Sequence, residues 1–176
     1  MEKENRNIAI LENKARNLRL KLNLTQKEFG EVLGISKSYM SDIENGYSGL
    51  SIEHLNSICN YCDVSFDYMF DFSKDVNKNI AKVQKINLKI LGNNLRAIRK
   101  SMNYTQDKLA KKLNISRSLI THYELGNRVI STADLKQICE ISGFSADWCV
   151  GKLNSCIKIK VKKKIKPKEI RELTQV

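Results

Sequence analysis

Cys59 and Cys62 form a Cys-x-x-Cys pair, the spacing used for zinc binding and for thiol–disulfide exchange. Zinc asks for four ligands, and neither a second such pair nor a histidine pair stands at a suitable distance. The five cysteines are odd in number, and a spacing of three on a helix puts Cys59 and Cys62 on one buried face, which reads as packing. His54 and His122 lie far apart, the acidic residues are scattered, and no glycine-rich phosphate loop or nucleophile motif occurs. The sequence therefore reads as a non-enzyme with no metal and no cofactor. Another chemistry is written twice. The stretch "ISKSYMSDIENG", residues 35–46, returns ungapped as "ISRSLITHYELG", residues 115–126. It is short, polar and helix-like, and each copy sets serines beside a lysine or an arginine.

The repeat extends well beyond that phrase. A shift of eighty superposes Arg19, Asn23, Thr25, Gln26, Ser36, Glu44, Ser51, Cys59, Ser65 and Asp67 on identical residues. Two copies of one fold follow. Leu11, Ala15, Leu18 and Leu22 form the apolar stripe of a first helix, repeated by Leu91, Leu95, Ile98 and Met102. Thr25 opens a second helix, with Glu28 completing a capping box; Thr105 keeps the cap, but Lys108 removes the box. Gly34 and Asn114 stand where a left-handed residue would turn the chain sharply. Ser36 and Ser116 read as caps of a third helix, Ser51 and Ser131 of a fourth, and "SFDYMF" and "SADWCV" as a short fifth.

Two short helices joined by a tight turn, opened by Thr-Gln and then by Ser, resemble the Cro/CI-type helix-turn-helix family of phage repressors. The resemblance covers residues 10–71 and 90–151. It implies an all-α chain of two tandem five-helix, lambda-repressor-like domains that bind double-stranded DNA and regulate transcription, with repression the family's usual mode. Gln26 and Gln106 are placed by similarity to bridge a phosphate. Lys37, Ser38, Tyr39, Ser41 and Asp42 are the exposed, groove-facing candidates in the first copy. Arg117, Ser118, Leu119, Thr121 and His122 are their counterparts, and Arg128 is grouped with them. Arg117 is the sharpest, because a guanidinium can bond guanine in a bidentate manner. Leu119 has two readings, a thymine-methyl contact or plain surface. Arg19 with Glu44, and Arg99 with Glu124, resemble the family's partly buried ion pair. The chain departs from the family at Leu50 and Ile130, where a proline is common.

The expected layout is a first domain over 8–72, a linker over 73–87, a second domain over 88–151 and a lysine-rich tail over 152–176. Net charge is +12, unevenly spread. Residues 1–72 hold 8 Lys and Arg against 11 Asp and Glu, whereas residues 88–151 hold 10 against 5 and the tail 9 against 2. Phosphate neutralisation drives DNA affinity, so the second copy and tail are expected to carry most of it. The acidic first copy leaves open a protein partner, as in an antitoxin, antirepressor or inhibitor. A polar linker of this length spans about 50 Å extended and about 22 Å if helical, against about 34 Å between successive major grooves. One chain could thus act as a covalent pseudo-dimer. The tail reads as a basic arm in preference to a strand pairing with another chain, although a homodimer through linker or tail stays open. No run of eighteen apolar residues and no N-terminal apolar leader occur, so no membrane is expected and a cytoplasmic location is.

Overall fold

The computed structural model describes residues 2–74 and 80–159, and in the first helix the side chains of Leu11 and of residues 13–21. Among the described residues ten helices follow one another: α1 (Glu2–Lys21), α2 (Gln26–Leu33), α3 (Lys37–Glu44), α4 (Ile52–Cys62), α5 (Phe66–Met69), α6 (Leu88–Ser101), α7 (Gln106–Leu113), α8 (Arg117–Leu125), α9 (Thr132–Ser142) and α10 (Ala146–Cys149). The first five and the last five form two tandem domains of the same design.

Local sequence sets each boundary. Thr25 Oγ1 accepts from the Glu28 N–H at 3.2 Å while the Glu28 carboxylate takes the Thr25 N–H at 2.7 Å, closing the capping box. In the second copy Thr105 still caps α7, and the ammonium of Lys108 lies 4.2 Å from the Tyr104 ring centre instead. Gly34 ends α2 at φ 71°, and Asn114 ends α7 at φ 57°, the left-handed conformation that turns each chain into its serine cap. Inside the first domain, Phe29, Met40, Ile43, Leu55, Ile58 and Phe66 pack together; Leu95, Ile98, Leu109, Ile120, Leu135 and Ile138 do so in the second. One expected core position fails: Leu22 is exposed, because α1 ends at Lys21 and the chain has already turned.

The segment between the domains is laid down on the molecule. Its described part, residues 80–87, is not helical. The Val83 carbonyl accepts from the side-chain amides of Asn56 and Asn60, both at 2.8 Å, and Ile86 is buried. Asn87 then caps α6.

The described start of the tail, residues 152–159, lies against the folded domains. Lys152 is buried and donates to Asn60 Oδ1 at 2.8 Å, so it joins the two domains and is no free phosphate ligand. Further on, Ser145 N–H donates to the Ile157 carbonyl at 2.9 Å and Ile159 N–H to the Gly143 carbonyl at 2.8 Å. This single antiparallel bridge uses the strand-like stretch on its own chain; no further strand occurs among the described residues. The lysines from Lys160 onward, on which the arm reading rested, lie outside the described residues.

Candidate nucleic-acid interface

Helices α3 and α8 owe their form to a serine and two inward residues. Ser36 Oγ accepts from Tyr39 N–H and Ser116 Oγ from Leu119 N–H, each at 3.1 Å, so both serines cap their helices. Met40 and Ile43 bury one face of α3, and Ile120 and Tyr123 one face of α8. The opposite face carries the candidates. Lys37 and Ser38 are exposed on α3; Arg117, Ser118 and His122 are exposed on α8, with Arg128 exposed just beyond it.

The rest are less free than expected. Tyr39, Ser41 and Asp42, and likewise Leu119 and Thr121, are half-buried. Tyr39 sets its ring edge-on to His54, 5.6 Å between centres, and both Tyr39 and Leu119 lean on the core. Their apolar bodies gain more by covering that core than by standing in water. Thr121 donates to Gln106 Oε1 at 3.2 Å, which places it beside the glutamine and not alone on the helix face. Arg117 keeps a loose contact with Asp107, 3.7 Å away, between two exposed side chains. Such a pair holds weakly, so the guanidinium remains available.

Behind each helix sits a buried charge network. Arg19 meets Glu44 in a two-pronged contact of 2.6 and 2.9 Å and donates its third nitrogen to the Leu24 carbonyl at 2.6 Å. Arg99 repeats this with Glu124 at 2.5 and 2.9 Å and with the Tyr104 carbonyl at 2.8 Å. Sequence spacing gave no sign of the next member. Gln26 donates its amide to Glu44 at 2.8 Å, and Gln106 to Glu124 at 3.0 Å. Each glutamine is thereby braced at the start of α2 or α7, where backbone N–H groups face outward and favour an anion. The hydrogen bonds that Arg19 donates to Glu44 raise its guanidinium above the ordinary value. Burial pushes Glu44 upward, but the bonds from Arg19 and Gln26 outweigh it and its carboxyl ends below the usual range.

Sequence reasoning also missed Arg96. It shares one groove with Arg99, Thr105, Gln106, Thr121 and Glu124, is exposed, and approaches the start of α7 from the first helix of its domain. The signal was present, because Arg16 matches Arg96 under the same shift of eighty. The thiols lie elsewhere. Cys59 is buried and Cys62 half-buried, burial raises both, the second to about 11, and both stay protonated near neutrality. Among the described residues no group of three or more His, Cys, Asp or Glu is placed to hold a metal ion, and no helix is long and apolar enough to cross a membrane.

Comparison with known proteins points the same way as this geometry. Residues 16–69 match a family model described as helix-turn-helix, and residues 92–152 match one described as helix-turn-helix domain. The chain is 41% identical over 58 residues to an uncharacterized HTH-type transcriptional regulator, YazB, of Bacillus subtilis (strain 168). That alignment covers 33% of this chain and 84% of the relative. No solved structure matches significantly.

Proposed function

Since the chain belongs to the Cro/CI-type helix-turn-helix family, in two tandem copies, we propose that it is a sequence-specific, double-stranded DNA-binding regulator of transcription, acting as a repressor that occludes a promoter. The observation that carries this is the pair of serine-capped helices with outward N-terminal turns, Lys37 and Ser38 on one, Arg117 and Ser118 on the other. A helix presented in this way fits the major groove, with short and basic side chains nearest the bases. Gln26 and Gln106, held by their glutamates, serve as phosphate ligands at the starts of α2 and α7. Arg96 and Arg128 add charge around the second recognition helix. The basic second copy anchors the protein and the acidic first copy reads with less affinity. Such a protein works in the cytoplasm, alongside the DNA.

Selection of bound duplexes from a random pool tests the reading, done with the intact chain and with Lys37→Ala/Ser38→Ala and Arg117→Ala variants. Each variant should alter one half of the selected sequence and leave the other. A reporter promoter carrying that sequence should fall silent when the protein is present. The acid-rich composition of residues 1–72 favours a second reading, in which the first copy engages a protein partner. Unchanged selection after the α3 substitutions would favour that reading for the first copy, and absence of any enriched sequence would end the DNA reading altogether.

A further inference from the structure

Asp67 and Asp147 hold the same place in the two copies, and each caps the short helix of the other. The carboxylate of Asp67 accepts from the Ala146 N–H at 2.7 Å and from the Ser145 hydroxyl at 2.6 Å. In return Asp147 accepts from the N–H groups of Phe66 and Asp67, both at 2.9 Å. Residue i meets j and j meets i, the self-complementary pattern of a two-fold interface, here closed within one chain. Both carboxylates are buried, and bonds from backbone donors to an ionised acceptor are short and directional.

Other contacts tie the same joint. Lys152, from the end of the second domain, reaches Asn60 in the first and lies over the Phe66 ring. Thr132, in the first turn of α9, donates to the Leu50 carbonyl at 3.0 Å. Leu50 stands six residues beyond α3, so the joint connects almost directly to the recognition helix. A loose tether would let two domains sample many separations. Here the folded joint, and not the length of the linker, sets their separation.

We infer that Asp67 and Asp147 determine spacing specificity: they hold α3 and α8 at one separation, so that a single chain fills a composite DNA site made of two unlike half-sites with one allowed spacing. The inference rests on the DNA-binding reading and adds the class of site. The half-sites differ because Lys37 and Asp42 face Arg117 and His122 as counterparts. Neither aspartate belongs to the groove-facing set; both act through the positions of the helices.

Two experiments decide it. In the first, duplexes carrying the selected site are lengthened between its halves by about five base pairs, half a turn of DNA. The intact chain should lose at least about thirtyfold in affinity and fall to the level of the second half-site alone, as expected when one of two linked contacts is forbidden. An Asp67→Asn/Asp147→Asn variant should bind the isolated second half-site within about twofold of the intact protein, yet discriminate far less between spacings. Affinity that changes less than about threefold on lengthening, or a variant with the original spacing profile, overturns the inference. In the second, spin labels carried on non-natural amino acids at Ser38 and Ser118 report the separation of α3 and α8 without DNA. One narrow distance that broadens in the double variant supports the clamp, and a broad distribution in the intact chain overturns it. Should no duplex be selected at all, the DNA reading falls, while the label distances still decide whether the joint is rigid.

Discussion

Glu124 receives hydrogen bonds from two nitrogens of Arg99 and from the Gln106 amide, so its carboxylate has no need of water. Removing it leaves a largely buried guanidinium that keeps its bond to the Tyr104 carbonyl but has lost its counter-charge. Glu124→Ala should therefore cost about 3 kcal/mol of stability in urea unfolding, and a loss below about 1 kcal/mol would mean that the pair is no more than a surface contact. Arg117 and Arg96 separate two kinds of binding. Arg117→Ala should relax preference at one base position by about 1–3 kcal/mol and leave the others alone. Arg96→Ala should weaken binding to every duplex alike and lower the salt slope by about one. If Arg96→Ala instead changed the selected sequence, it would be a base reader. The Arg–Glu pairs were legible through the family resemblance, since Arg19 with Glu44 and Arg99 with Glu124 stand where the family has a partly buried ion pair. The glutamine that completes each network was not, since spacing says nothing of which way an amide turns. The half-burial of Tyr39 and Leu119 was not legible either: a third helical position can lean back on the core or point out, and only the neighbouring helices decide.

Helix ends were the most readable elements, because a serine or threonine cap acts within three residues of itself. Thr25, Ser36, Ser51 and Ser65 cap helices in the first copy, and Thr105, Ser116, Ser131 and Ser145 in the second. How closely two helices approach is a different matter. A Cβ at Gly92 would stand 2.6 Å from the Glu124 carbonyl oxygen and 2.7 Å from that of Tyr123, so α6 lies on α8 through bare backbone. The matching position in α1 is Glu12, so the glycine belongs to the second copy alone. Alanine normally favours a helix over glycine by about 1 kcal/mol. Gly92→Ala should nevertheless destabilise the protein by about 1–3 kcal/mol, because the obstructing atoms are main chain and cannot swing aside. Thermal unfolding measures this, and a variant as stable as the parent would mean that α6 can retreat at no cost. The path of residues 80–87 was not legible either. Its polar composition suggested a free linker, but Asn56 and Asn60, lying far back in the sequence, supply the amides that hold it.

At the scale of the molecule, the joint between domains was hidden from the sequence, although both aspartates repeat under the shift that reveals the two copies. Identity at matched positions says that two domains share a residue, not that the residues meet. Their meeting has a consequence for pH. Burial, and after it the charge of Asp67, push the Asp147 carboxyl up to about 6, against the opposing pull of the N–H groups it accepts and of Lys152. Burial raises Asp67 as well. A carboxyl with a raised folded value keeps a proton that the unfolded chain has already released, so its contribution is fully present below about pH 4 and is lost as pH rises through about 6. Glu44 runs the other way: its value is lowered, and its contribution is lost as pH falls. Between pH 4 and 7 the intact chain should therefore lose about 2–3 kcal/mol through Asp147, which an Asp147→Asn variant would not lose. Urea unfolding of both proteins across that window gives the difference directly. Two curves that stay parallel would mean that Asp147 is no more protonated in the folded chain than in the unfolded one, and that the carboxylates meet without strain on either charge.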